Sequence, residues 1–310
     1  MADLYHTKQR FYLGAYKSIV ESPLPDESSS EYQAVLTYKA RSYLALNDPK
    51  SALKLLPEGT ENAGLKAVGS LARYLASEGS GDTEAALEEL RDLAVEIEGD
   101  DVEGTEEDKA LVRVLAATAF ARAGEVEEAL ETLGSETEDL EAVAVIVQIY
   151  LSINRPDLAK KQFDRSKNWA EDDLLLQLIE SNIGLVTGKD NYSNTYSFYT
   201  EQIGNPTLVS PHLLTARGIT RILRGDVQES KSDLEESLAQ QPDDVETQAA
   251  YVVAAELGAL KRPEADELWS KFASQHPTHP MVVDLNGKSD LFDQCAANFP
   301  LPPAASTVSA

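Results

Sequence analysis

Cysteine occurs once in this 310-residue chain, at Cys295, so no intramolecular disulfide framework can hold it together. Aromatics make up only 7% of the residues, and long alternating runs of Val, Ile and Thr are missing. With Leu, Ala and Glu abundant, these shortages point away from sheets and towards an all-helical chain. No apolar run approaches the roughly 18 residues of a membrane span, and the N-terminus lacks the basic-then-apolar order of a secretory leader. A soluble, cytosolic protein is expected. Basic residues are also scarce, 27 against 53 acidic ones, for a net charge of −26. Such a field repels nucleic acid and anionic lipid, and it reads as a solvated acidic surface.

Motifs that carry chemistry are scarce as well. The chain contains no G-x-x-x-x-G-K-[ST] loop, no G-x-G-x-x-G turn and no G-x-S-x-G elbow, so neither a phosphate cradle nor an activated serine is signalled. Its four histidines are His6, His212, His276 and His279; only "HPTHP" brings two together, and no further Cys or His is spaced to complete a metal site. Carboxylate pairs are too common in so acidic a chain to mark a catalytic pair. No catalytic residue, cofactor or metal is expected, and function must come from surface.

What the chain does have is a period. In "LVRVLAATAFARAGEVEEALETLG", Ala117, Phe120, Gly124, Ala129 and Leu133 fall at offsets 0, 3, 7, 12 and 16. The same offsets recur at Ala40, Tyr43, Asn47, Ala52 and Leu56; at Val147, Tyr150, Asn154, Ala159 and Phe163; and at Gly218, Arg221, Gly225, Ser230 and Leu234. Ala265 and Trp269 carry the second half of a further unit. The small residue and the large one three later share a face of a first helix. Gly or Asn ends that helix in a left-handed cap. An Ala in the second helix lets the two helices approach, and the large residue four later fills the gap between neighbouring hairpins.

The small positions of the second helices are 52, 86, 129, 159, 195, 230 and 265, spaced by 34, 43, 30, 36, 35 and 35. One Ala-x-x-x-Leu means little; seven units in phase with their turn residues match the roughly 34-residue tetratricopeptide repeat. The expected fold is all-α, a tetratricopeptide-like solenoid of helical hairpins wound as a right-handed superhelix over residues 1–299. Residues 281–299 are expected to form a terminal capping helix, 96–109 an acidic loop, and 300–310 a disordered tail. In "QRFYLGAYKSIV", Gly14 is expected to separate two helices rather than to damage one, with the aromatics sealing the first hairpin against "VLTYKARSYL".

In the tetratricopeptide family the first helices line a concave wall, and the groove positions flank the small residue by one turn. Transferred to this chain they are Thr37, Arg41 and Leu44; Val114, Thr118 and Ala121; Ala144, Gln148 and Leu151; Thr215, Ile219 and Ile222; and Ala249, Val253 and Glu256. That wall is mainly small and apolar, which suits a protein segment held by side-chain burial, although any of these residues could instead serve contacts between adjacent helices. The Lys and Asn clamp by which chaperone-binding members of the family hold a C-terminal carboxylate is absent: the equivalent places carry Thr37/Arg41, Val114/Thr118 and Ala144/Gln148.

Four segments narrow the family further. "FYLGAYKSIV", "VAVIVQIYLSINRPDLAKKQFDRSKNWAEDDLLLQL", "GDVQESKSDLEESLAQQPDDVETQ" and "HPTHPMVVDLNGKSDLFDQCAANF" resemble, in order and over nearly the full length, the epsilon-subunit family of coatomer. The acidic segment, the Pro/Ala-rich tail and the weakly repeated "VTGKDNYSNTYSFYTEQIG" depart from that family's core pattern. The resemblance implies a non-enzymatic scaffold whose main partner is the C-terminal domain of the coatomer alpha subunit, with the solenoid curling around it. It implies indirect contact with the other coatomer subunits and, through the assembled coat, with the small GTPase Arf. Residence would be cytosolic and peripheral on Golgi membranes and COPI-coated vesicles, in retrograde Golgi-to-ER and intra-Golgi transport. The alternative is a general tetratricopeptide adaptor or co-chaperone that binds peptide segments.

Overall fold

Helices follow one another in antiparallel pairs along the computed structural model, which describes residues 4–78, 81–99, 105–188, 191–205, 208–258 and 262–299. α1 (Leu4–Tyr12) pairs with α2 (Tyr16–Glu21), α3 (Tyr32–Ala45) with α4 (Pro49–Leu55), α5 (Ala63–Ser77) with α6 (Glu84–Glu96), and α7 (Glu106–Ala123) with α8 (Val126–Leu133). α9 (Leu140–Ser152) pairs with α10 (Pro156–Ser166), α11 (Leu174–Thr187) with α12 (Asn191–Ile203), α13 (Pro211–Arg224) with α14 (Val227–Gln240), and α15 (Val245–Leu257) with α16 (Arg262–Gln275). α17 (Pro280–Ala296) closes the order, and no strand occurs among the described residues. The fold is the all-helical, tetratricopeptide-like hairpin array that the period implies.

Five of the turns, those after α1, α3, α7, α9 and α13, are made one way. Gly14, Asn47, Gly124, Asn154 and Gly225 have φ of 73°, 58°, 88°, 57° and 89°. In each case the next residue donates its N–H five positions back, as Ala15 to Arg10 at 2.8 Å and Glu125 to Phe120 at 2.9 Å. This is the left-handed cap that satisfies the last carbonyls of a helix, and Gly or Asn tolerates it best. Gly14 therefore does separate two helices.

Every second helix from α4 to α16 buries its small residue: Ala52, Ala86, Ala129, Ala159, Thr195, Ser230 and Ala265. The approach they allow is close. A Cβ at Gly218 would lie 2.9 Å from the Leu234 side chain, and one at Gly184 2.5 Å from the Thr195 hydroxyl. The α11–α12 hairpin, weakest in repeat identity, is thus as tightly joined as the others. Where Arg221 replaces the usual aromatic, it and Arg217 both pair with buried Asp233 at 2.7 Å. A buried carboxylate between two guanidiniums does there what a ring does elsewhere.

The core follows the array. Its largest part runs from Ala40 on α3 to Ile149 on α9, with Phe120, Leu90 and Ile146 at its centre, and a second part joins α9, α10 and α11 through Val147, Phe163 and Ile179.

Two boundaries differ from expectation. Residues 106–109, expected in the acidic loop, form the first turn of α7, and residue 96 ends α6. Thr105 and Asp108 make a reciprocal capping box there, and Glu106 and Glu107 favour the positive end of the helix dipole, so acidity starts this helix instead of preventing it. Residues 100–104 of that segment and the tail at 300–310 lie outside the described residues. The terminal helix forms as expected, but only its first turn covers the end of the array, with Val282 packed on Ala249, Val252 and Phe272.

The N-terminal hairpin does more than seal the first repeat. Phe11 stacks edge-on against Tyr38 at 5.2 Å, as expected, while Leu13 is wholly buried with Phe198, Tyr199, Leu208 and Leu213, about 200 residues away in sequence. Ser210 donates to the Leu13 carbonyl at 2.6 Å, and Lys17 to the Gln240 carbonyl at 2.8 Å. The array curves until α12–α14 meet its own beginning.

Candidate functional site

Where the curve closes, α1 and the N-terminal ends of α3, α7, α9 and α11 line a cleft of about 540 Å3. One of its walls is a buried polar cluster. Asp139 caps α9 and accepts the Glu141 N–H at 3.1 Å, which sets Glu141 in the first helical turn, where a carboxylate is favoured. Glu141 then accepts from Tyr12 on α1 at 2.9 Å, from Tyr38 on α3 at 2.8 Å and from Arg41 on α3 at 2.6 Å. The Arg41 guanidinium also lies 4.6 Å from the centre of the Phe11 ring.

The electrostatics of the cluster are those of a closed lock. Burial pushes the Glu141 carboxyl upward, but the Arg41 charge and the three donated hydrogen bonds outweigh it and hold the group below the ordinary carboxylate value. Tyr12 and Tyr38 are raised, first by burial and then by the neighbouring carboxylate, so both stay neutral donors.

The groove positions inferred from the repeat register fall into three groups. Thr37, Arg41 and Val114 line the large cavity, and Val253 and Glu256 line a smaller one of about 330 Å3 near α17. Leu44 and Ala121 pack on the first core, Ala144 and Leu151 on the second, and Ile219 and Ile222 around Leu234. Ala249 is buried against Phe272, Thr118 bonds its own helix at Val114, and Thr215 shares hydroxyl hydrogen bonds with Ser237 and Thr247. Gln148 is exposed. Most of the small apolar residues are thus used in contacts between hairpins. The open space is correspondingly less apolar than the register suggests: Glu106, Glu107, Asp108, Glu138 and Asp173 stand around it.

The register missed Tyr12, Leu13, Tyr38 and Glu141, which decide how the wall closes. Only the aromatic-rich start hints at them, and nothing local pairs Tyr12 with Glu141. The histidines of "HPTHP" serve structure: His276 meets Gln248 at 3.0 Å, and His279 caps α17 by accepting the Met281 N–H at 3.2 Å. Among the described residues no group of three His, Cys, Asp or Glu side chains could hold a metal ion, and no helix is long and apolar enough to cross a membrane.

Such a curved array of antiparallel helical hairpins defines the tetratricopeptide-like class of fold. Solved structures agree on that fold. A tetratricopeptide repeat protein from Parabacteroides merdae aligns with a TM-score of 0.53 at 16% identity, over 83% of this chain and 98% of that one. The APC/C hetero-tetramer Cut9–Hcn1 aligns with a TM-score of 0.59 at 13% identity, over 91% of this chain and 53% of that one. The family is shown by sequence: the model of the coatomer epsilon subunit matches residues 1–300, and the chain belongs to that family. Coatomer subunit epsilon of Caenorhabditis elegans is 26% identical over 304 residues, covering 96% of this chain and 99% of the relative. Coatomer subunit epsilon-1 of Arabidopsis thaliana is 26% identical over 298 residues, covering 96% and 97%. Family and fold together make this a structural component of coatomer and not an enzyme.

Proposed function

We propose that the chain holds the C-terminal domain of the coatomer alpha subunit in its concave wall and so supports COPI-coated vesicle formation in retrograde Golgi-to-ER and intra-Golgi transport. The observation that carries this reading is the closure of the array on its own N-terminal hairpin through Leu13, Ser210 and the Glu141 cluster. A wall bent that far suits encirclement of a partner segment better than reading of a free peptide end. The other coatomer subunits and Arf are then met only through the assembled coat, and the chain sits in the cytosol and peripherally on Golgi and vesicle membranes.

The general-adaptor alternative fares worse. Arg41 is the single cation among the fifteen groove positions, and Glu141 already neutralises it, while the acids around the cavity repel a carboxylate.

Co-expression with the alpha C-terminal domain is expected to give a complex that co-elutes at one-to-one ratio. Ile219→Asp and the exposed Gln148→Arg are expected to weaken it by about tenfold or more with helical content kept. Elution of two separate proteins removes the reading; unchanged affinity in both variants removes the concave wall as the contact surface.

A further inference from the structure

Two kinds of junction hold the array together. From α3 to α9 consecutive hairpins share one continuous apolar core, with Val112, Leu115, Phe120 and Ile146 inside it. The junction where the array meets its own beginning is built differently. α1 buries no residue and α2 buries only Ile19. Leu13, in the turn between them, is the one side chain that this hairpin gives, among the described residues, to the apolar group around Phe198, Leu208 and Leu213. Tyr12 adds a half-buried ring beside α9. The other contacts are chiefly polar or backbone: Ser210 and Lys17 donate to the Leu13 and Gln240 carbonyls, and Gly14 lies against His212. Glu141 on α9 accepts from Tyr12, Tyr38 and Arg41.

Such contacts part at little cost. A hydrogen bond to a carbonyl is exchanged for one to water, so its net contribution is small. If α3 and α9 separate, Arg41 and Glu141 both regain water, whereas removing one of them leaves the other buried. The hairpin itself need not unfold, because it is fastened to its own neighbour: Phe11 packs on Tyr38, and Lys39 on α3 donates to the Ser22 carbonyl at 2.6 Å. Small rotations spread over the hairpin interfaces can carry α1–α3 away from α9 and α12–α14. Elements that move to admit a ligand are drawn from the less strongly held parts of a fold. The α1–α2 hairpin, with one buried residue in its two helices, is such a part.

A partner segment that continues on both sides into folded structure cannot be threaded through a closed ring; it enters only through a gap. We infer that the closing junction is a clasp: it opens between Leu13 and α12–α14, admits the partner segment to the concave wall and shuts over it. The inference rests on the preceding reading for the identity of the partner. Leu13 is the catch, and Glu141 with its three donors is the second fastening.

Lys17 and Gln240 are both exposed and meet across the junction, so a covalent bridge between them locks it. The test uses Lys17→Cys with Gln240→Cys, joined by a short bismaleimide, in a chain whose only native thiol is removed by Cys295→Ser. Association with the alpha C-terminal domain, its own thiols blocked, is followed by stopped-flow fluorescence. Bridging before mixing is expected to slow association about tenfold or more relative to the unbridged double variant. Bridging after mixing is expected to leave the complex intact and to slow its dissociation about tenfold or more. Leu13→Ala, which removes the catch, is expected to speed association with helical content unchanged. Equal rates in bridged and unbridged chains, no gain from Leu13→Ala, or release of the partner on bridging overturns the clasp and leaves the concave-wall reading standing. Absence of a complex with the unbridged and the unaltered chain overturns both.

Discussion

Arg41 on α3 and Glu141 on α9 meet at 2.6 Å although 100 residues separate them, with only 11% and 15% of their side chains exposed. The pair ties the α3–α4 hairpin to the α9–α10 hairpin, and Tyr12 brings the N-terminal helix onto the same carboxylate.

Removing one charge of this pair should cost more than the pair itself contributes, because the other is left buried alone. Glu141→Gln is expected to lower stability by about 3 kcal/mol in urea unfolding. Replacing both partners, Arg41→Met with Glu141→Leu, is expected to recover most of that loss. Equal destabilisation by the single and the double variant would show that the cluster is not a coupled charge pair.

The same cluster sets a pH dependence. Glu141 titrates below its unfolded value of about 4.3, so its contribution is present above that pH and is lost as pH falls through the depressed folded value. Tyr12 and Tyr38 titrate above their unfolded value of about 10, so their contribution is present below that pH and is lost as pH rises beyond it. Stability plotted against pH should fall on both sides. Glu141→Gln should flatten the acid limb, and Tyr12→Phe with Tyr38→Phe should flatten the alkaline one; limbs identical to those of the unaltered chain would refute the assignment.

Two glycines with similar backbones should behave differently. Gly14 and Gly124 both have positive φ, but a Cβ at Gly14 would lie 2.6 Å from that of His212, whereas nothing stands within 4 Å at Gly124. Gly124→Ala is expected to cost about 1 kcal/mol, the strain of the left-handed residue alone. Gly14→Ala should cost about 1–3 kcal/mol more, since α1–α2 must also shift from α13. Thermal melts of the two variants decide it, and equal losses would mean that the N-terminal contact yields freely.

Leu13 tests the closure itself. Leu13→Ala is expected to destabilise by about 2–5 kcal/mol, the range for a buried leucine, and to speed proteolysis of the N-terminal segment ahead of the rest. Cleavage that begins in the central hairpins instead would show that α1–α2 is not the weakest link.

The hairpins were legible because each of their parts is local. Gly124 or Asn154 ends a helix, and Ala129 or Ala159 admits its neighbour, within some thirty residues of chain, so pattern and period suffice to read them. The same pattern assigns the wall positions but not their use. Whether Ala249 faces a partner or Phe272 depends on how adjacent hairpins rotate, and in the structure it is spent on Phe272. The acidic segment shows the opposite limit: a charge run reads as loop, yet Thr105 and Asp108 cap a helix that begins inside it, at Glu106.

Sequence by itself determined an acidic, all-helical array with a period near the tetratricopeptide unit and a clear family likeness, because turn residues and small residues act over one or two helical turns. Only the tertiary structure decided that the array closes on Gly14 and Leu13, that Arg41 is locked by Glu141, and that α17 leaves Phe292 in solvent. Curvature accumulates from small rotations at every hairpin interface, and no local pattern records their sum.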